Sequence, residues 1–260
     1  IKLIAGFFAA VMLIQGLIYV ISVNSHEMFR QINREAEQNL YNSAVKQSVL
    51  LKNKLCEYSD MSDRSANANA ILSKILDKRG ISAEEFLSDP GAQSLFIEEY
   101  ASELIDHLTE STPSGVFMIL CGDSDFLANT SYTGVFVKDA DPESADDFDS
   151  VMTRGNRAIS AHYNIPLDIN WESDFTFSKS DAVKYRFFIE PVTAARKDPS
   201  RKNSYYGYWA DSFVFDDGSN ERIVTYSVPL IYEKVVYGVI GITLSCSRLD
   251  EMLDEEGYDK

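Results

Sequence analysis

The sequence holds only three cysteines and three histidines, and its basic residues are outnumbered by acidic ones. Each shortage removes a class of function. Cys56, Cys121 and Cys246 lie far apart and no C-x-x-C occurs, so zinc ribbons and thioredoxin-like chemistry have no support. His26, His107 and His162 are scattered, and none has a second His or Cys at metal-ligand spacing. Lys and Arg number 24 against 40 Asp and Glu, a formal net charge of −16 that opposes binding to nucleic acid or to an anionic membrane surface. No G-x-S-x-G, P-loop or G-x-G-x-x-G is present. The segment therefore reads as non-enzymatic, with no catalytic residue, metal site or cofactor to assign. A Ser–His–Asp set assembles in space and not along the chain, so an anchored hydrolase would need a nucleophile and a base within hydrogen-bond reach.

Apolar residues are not short. They make up 45% of the 260 residues, and aromatics 12%, enough to fill a core. The run Leu3–Val23 is almost wholly apolar, and no charge lies between Lys2 and Glu27. A bilayer core needs about 20 such residues. Lys2 on one side and acidic residues beyond the other fit a cytoplasmic start and an external continuation. A signal peptide is the competing reading, but Ser22 and Asn24 are poor for its cleavage site and the run is long for its apolar region. Residues 1–23 therefore read as a transmembrane anchor, crossing at 3–23. The first residue is Ile and the last segment, DEEGYDK, closes no element, so a longer protein is expected around this chain.

Residues 24–111 read as helical. Phe29, Ile32, Ala36, Leu40, Ala44, Leu51 and Leu55 recur at threes and fours, the period of one long helix to about Asp60. A homodimer stalk and a helix packed on its own domain predict the same stripe. A second helix, Ala66–Arg79, ends at Gly80. Ser82-Ala83-Glu84-Glu85 resembles a capping box. Asp89-Pro90-Gly91 breaks the chain before a third helix, Ala92–Leu108.

Residues 112–249 read as a sheet module. Val116–Cys121 and Thr133–Lys138 are strand-like, separated by a turn at Gly122-Asp123-Ser124-Asp125. Asp139–Asp149 is a loop rich in acids that lacks EF-hand spacing and reads as solvated. Val151–Ala161 reads as helical, Ile165–Phe177 as irregular, and Tyr185–Arg196 as a short helix near Pro191. Asp211–Phe215, Ile223–Ile231 and Val235–Ser245 then form a meander, with turns at Asp216–Asn220 and Glu233-Lys234. Cys121 and Cys246 lie in apolar strands, and whether they pair stays open. Helices set apart from an antiparallel sheet make this the α+β class. Residues 250–260 would begin a linker to a downstream module.

Three stretches carry a family resemblance. Ile223-Val224-Thr225-Tyr226-Ser227-Val228-Pro229-Leu230, followed by Tyr237-Gly238-Val239-Ile240-Gly241-Ile242, resembles the closing hairpin of the double-Cache sensors of bacterial receptors. Tyr208-Trp209-Ala210-Asp211-Ser212-Phe213 is similar to that family's aromatic segment. Tyr185-Arg186-Phe187-Phe188-Ile189-Glu190-Pro191 sits where the family has R-x-W-Y-x-x-A. The resemblance implies a PAS-like sheet and an extracytoplasmic domain that binds a small molecule on behalf of a transmembrane histidine kinase, diguanylate cyclase or chemoreceptor. By position it implies a ligand site of Trp171, Arg186, Phe188, Tyr208, Trp209, Asp211 and Thr243, with Arg186 meeting a carboxylate. Phe188 stands at the family's tryptophan and Ile189 at a usual tyrosine. Asp181 replaces a tyrosine, and Thr243 replaces the acid that would hold an ammonium. A polar or weakly charged ligand of unknown identity follows.

Each of these residues has a structural reading as well. Arg186 could pair on the surface, Trp171 and Trp209 could be core anchors, and Thr243 could be a strand filler. On those readings the chain is a membrane-anchored structural or protein-interaction ectodomain. A closed interior near Arg186 and Trp209 favours that alternative, and a pocket lined by them favours the sensor.

Overall fold

The structure is a computed structural model that describes residues 2–111, 113–122, 130–140, 149–177, 182–215 and 221–254. The expected turns at Gly122–Asp125 and Asp216–Asn220, most of the acidic loop, Asp181 and the end of the tail lie outside the described residues. The first helix, α1, runs unbroken over Lys2–Ser59. Its part up to Lys52 belongs to one compact unit, and Asn53–Glu255 forms the other. Along α1 the apolar side chains Met28, Phe29, Ile32, Leu40, Tyr41, Val45 and Val49 are exposed. The expected anchor falls on residues whose side chains are mostly outside the described set. Among the described residues no helix is long and apolar enough to cross a membrane.

In the second unit the chain signals act locally as written. Helix α2 (Ser62–Arg79) stops at Gly80, whose φ of 68° is left-handed and whose amide donates back to Leu76 O. Ser82 then caps α3 (Ala83–Phe86) in a reciprocal box with Glu85, at 3.2 and 2.8 Å. Asp89 accepts from the Ala92 amide at 3.0 Å and opens α4 (Pro90–Ser111). That hydrogen bond, with Arg79 at 3.0 Å, holds the Asp89 carboxyl below the usual range. Helix α4 buries Phe96, Tyr100, Leu104 and Leu108, one per turn.

An eight-stranded sheet carries these helices. Its order is β5-β4-β3-β1-β10-β9-β7, with β8 also on β9. The strands are β1 (Gly115–Leu120), β3 (Gly134–Asp139), β4 (Ser150–Arg154), β5 (Leu167–Glu172), β7 (Tyr208–Trp209), β8 (Phe213–Val214), β9 (Arg222–Tyr232) and β10 (Val235–Ser245). A separate ribbon pairs β2 (Thr130–Tyr132) with β6 (Phe175–Phe177). All pairs are antiparallel except β4 with β5. Glu233 and Lys234, at φ 49° and 70°, make the two-residue turn between β9 and β10. The class is α+β, with a long first helix and a mixed sheet.

Period-2 alternation divides the core into two faces. Val116, Met118, Leu120, Ile240, Ile242 and Leu244 face α2, α3 and α4. Phe117, Ile119, Cys121 and Val239 face α6 (Arg186–Lys197) and the β2–β6 ribbon. On the helical side Tyr237 meets Phe86 and Phe96 edge-on, and its hydroxyl donates to Asn69 Oδ1 at 2.8 Å.

Four sequence expectations are corrected. Val151–Ala161 is not one helix. It divides into β4 and α5 (Arg157–Tyr163), because pairing with β3 captures Val151 and Met152 before Asn156 caps the helix. Ile165–Phe177 is ordered as β5 and β6. Asp211–Phe215 pairs only at Phe213–Val214. Asp89-Pro90-Gly91 does not break the chain before Ala92, because Pro90 takes the first position of α4, where no amide is needed. The helix expected over Tyr185–Arg196 is found as α6, twelve residues running through Pro191. Proline has no amide for the Phe187 carbonyl one turn back, and the Ser227 hydroxyl donates to that carbonyl at 2.5 Å instead. The open cysteine question resolves as three free thiols. Burial pushes the Cys121 thiol up to about 12, against the opposing pull of Arg196.

His107 on α4 is 3% exposed, and burial, then the Arg64 charge, lowers its pKa to about 4. The folded value lies below the ordinary 6.5, so the neutral form is the stable one. Its contribution is complete above about pH 6.5 and is lost as pH falls through 4. We expect His107→Gln to flatten the acid limb of stability in that window by an amount on the order of 3 kcal/mol, read by urea titration at several pH values. An unchanged acid limb would refute this.

Candidate functional site

Five short segments converge on the α6 face to line a cavity of about 250 Å³. Strand β4 brings Arg154, β5 brings Glu172, and β6 brings Phe175, Thr176 and Phe177. Lys184 and Tyr185 precede α6, and Phe213, Val214 and Phe215 come from β8 and the residue after it. Arg154 is the charged group that defines the site. It is 5% exposed. Its Nη1 donates to the Thr153 and Asn170 carbonyls at 2.8 and 3.1 Å, and its Nε lies 3.4 Å from the Glu172 carboxylate. The Phe215 ring lies 5.4 Å from Cζ. Carbonyls and a ring on this side fix the planar guanidinium in place. The Glu172 side chain is 61% exposed, so water competes for it while Arg154 stays buried.

The remaining wall is aromatic and interlocked. Tyr185 stacks on Phe177 at 4.1 Å, and Phe213 stacks on Phe187 at 5.5 Å. Such walls offer flat apolar area at little entropic cost. An anion-binding cation, an acid and a π-rich wall in one enclosure suit a small carboxylate with a compact apolar body, with or without an ammonium. Among the described residues, the hydroxyls lining the cavity are those of Thr176 and Tyr185, and no histidine lines it. Among the described residues no three His, Cys, Asp or Glu side chains come together in a way that could hold a metal ion.

The seven residues expected from the sequence are not gathered here. Arg186 begins α6 with its side chain 43% exposed, paired at 3.4 Å with both Glu190 and Asp211. Asp211 is at the surface. Phe188 is fully buried among Tyr132 and Phe177. Trp171 packs toward the helical face, donates to Gly155 O at 3.1 Å and carries Arg157 over its ring. Trp209 packs on Tyr226 on that same face. Thr243 is buried in β10 between Gly115 and Thr225. Tyr208 lines a separate open groove with Arg201 and Tyr205. Sequence reading passed over Arg154 because it placed that stretch in a helix. A lone arginine closing a Val-Met-Thr strand before Gly155-Asn156 was the available signal.

No family model matches the chain, and no curated protein matches it. Solved structures do. The chain resembles extracellular sensor domains. The extracellular domain of the histidine kinase soHK1S-Z6 is 17% identical over 84% of this chain and 64% of that one, with a TM-score of 0.42. The ligand-binding domain of the Campylobacter jejuni chemoreceptor Tlp3 in complex with L-valine is 13% identical, covering 83% and 65%, at 0.33. The Tlp3 sensory domain with isoleucine bound is 12% identical, covering 83% and 65%, at 0.31. The chain thus spans less than two thirds of the length of each of these domains.

Proposed function

We propose that this chain is the extracytoplasmic ligand-sensing part of a bacterial transmembrane receptor, and that its ligand enters the cavity beside Arg154. The observation that carries this reading is a buried arginine held rigid by two backbone carbonyls at the edge of an aromatic enclosure. A cation kept out of water is a strong anion anchor, because the desolvation cost has already been met by folding. The finer reading places residues 3–23 in the membrane and pairs α1 with its copy along the exposed stripe from Met28 to Val49 in a homodimer. The output would be a histidine kinase, a diguanylate cyclase or a chemotaxis module, with this segment non-enzymatic. The double-Cache resemblance at β9–β10 supports the sensor role.

A second reading rests on its own observation. Phe117, Phe136, Phe187 and Phe188 close the interior beneath α6 near Arg186, as a structural or protein-interaction ectodomain would require.

The test is a melting screen of the full chain in nanodiscs, followed by the fluorescence of Trp171 and Trp209. The panel holds amino acids, amines, short carboxylates, purines and sugars. A ligand at a hundred times its Kd adds about 2.7 kcal/mol. For a unit of this size that raises Tm by roughly 5–10 °C. We expect the rise with compact carboxylates bearing an apolar body. A flat panel on well-folded protein would overturn the sensor reading and leave the interaction domain.

A further inference from the structure

Aromatic rings make up half of the wall around Arg154. Phe175, Phe177, Tyr185, Phe213 and Phe215 are five of the ten described residues lining the cavity, and Val214 is the one aliphatic side chain among them. Phe175, Phe177 and Phe215 are buried, whereas Tyr185 and Phe213 are half-buried. Tyr185 lies 4.1 Å from Phe177 with 28° between the planes, and Phe213 lies 5.5 Å from Phe187 with 5°. Each half-buried ring therefore rests on a buried one and is fixed in its plane. A flat ligand ring placed against either of them extends a stack that folding has already built. A branched aliphatic group meets the same flat wall with fewer atoms in contact.

Charge narrows the choice further. Among the described residues the lining carries Arg154 and Lys184 against Glu172, a formal net of one positive charge. A monocarboxylate brings the enclosure to neutrality. A zwitterionic amino acid leaves the positive charge in place, and its ammonium enters a site where cations outnumber acids. The one acid is also committed, because Glu172 lies 3.4 Å from Arg154 Nε. An ammonium would have to draw it off the arginine. Arg154 itself is reachable, since it lines the cavity and 6% of its side-chain surface stays open. The Phe215 ring lies 5.4 Å from its Cζ, so the cation and the ring wall sit side by side. The volume of about 250 Å³ is below the ~300 Å³ at which pockets for drug-sized ligands begin. A single ring or a fused pair is the scale that follows.

Building on the ligand-cavity reading, we propose that the molecule taken beside Arg154 is a small aryl carboxylate without an ammonium group, of the benzoate, phenylacetate or indole-acetate type. Its carboxylate meets Arg154, and Lys184 adds attraction at longer range. Its ring lies against Tyr185 and Phe213. Glu172 remains the counter-ion of Arg154 and makes no contact with the ligand.

Isothermal titration of the full chain in nanodiscs tests it, with benzoate, phenylacetate and indole-3-acetate as ligands. Cyclohexanecarboxylate and cyclohexylacetate are controls that keep the size and charge but lose the π-system, and L-phenylalanine is a control that adds the ammonium. Saturable binding of at least one aryl acid is expected, about threefold or more tighter than either saturated acid and at least tenfold tighter than L-phenylalanine. Phe213→Leu should remove the preference over the saturated acids, and Phe213→Tyr should keep it. Glu172→Gln should leave the aryl acid bound as tightly as before or more so. Melting curves confirm that the variants are folded. Equal or tighter binding of a saturated acid or of L-phenylalanine, lost in Arg154→Gln, would overturn the aryl assignment and leave the Arg154 site standing. A fivefold weakening by Glu172→Gln would do the same, by making that acid a ligand contact. Aryl binding unchanged in Arg154→Gln would overturn site and assignment together. No saturable heat from any of the six compounds would overturn the assignment, and a rise in the broader melting screen would then keep the cavity with another ligand.

Discussion

Gly241→Val is expected to cost at least ~4 kcal/mol, enough to leave little folded protein. Gly241 lies in the middle of β10, hydrogen-bonded between β1 and β9 and paired with Phe117 and Ser227. A Cβ there would overlap the Tyr226 carbonyl oxygen and lie 2.5 Å from Phe117 Cζ. Neither neighbour can yield. The carbonyl belongs to the ladder of a central strand, and the Phe117 ring is held edge-on against Phe136 and Phe187 at 6.3 and 5.1 Å. Glycine is required because an aromatic ring lies directly on the backbone at this point. Moving the strand to make room would break pairing on both sides, which is why the cost exceeds ordinary overpacking. Urea denaturation and soluble yield measure it. A midpoint within about 1 kcal/mol of the parent would show that the sheet centre adapts, and the account of β10 would fail.

Arg154→Gln is expected to abolish the ligand-dependent rise in Tm, while Arg186→Ala keeps it. The two arginines differ in what water can do to them. Arg186 has its side chain 43% exposed and two surface acids for partners, an arrangement worth little and easily replaced by solvent. Arg154 is buried and fixed by two carbonyls. A charge-assisted hydrogen bond in that setting contributes about 1.5–3 kcal/mol, so losing it costs roughly 10- to 100-fold in affinity. The substitution also removes donors from the Thr153 and Asn170 carbonyls, so some loss of basal stability accompanies it. Arg154→Lys separates the two effects, because it keeps the charge and loses the fork. Its ligand shift should fall between those of the parent and the glutamine variant. A shift that survives Arg154→Gln and vanishes in Arg186→Ala would return the site to the position that the family resemblance implies.

The chain's local signals were sufficient wherever the cause of structure is local. Gly80, the Ser82–Glu85 box and Glu233-Lys234 each act within four residues, and each is found as read. The long strands β9 and β10 were equally plain, because β-branched and aromatic residues persist over eleven positions in each. The α+β class followed from that order. What tertiary structure decided was everything whose partner is distant in sequence. Val151–Arg154 is a strand because β3 lies beside it. Pro191 is tolerated inside α6 because Ser227, on a strand 36 residues further on, serves the carbonyl that proline orphans. The cavity joins residues from Arg154 to Phe215, a convergence that no spacing encodes. By itself the sequence determined which segments could bury a face. Only packing decided which arginine that burial would enclose, because desolvation acts on the assembled neighbourhood and not on the residue.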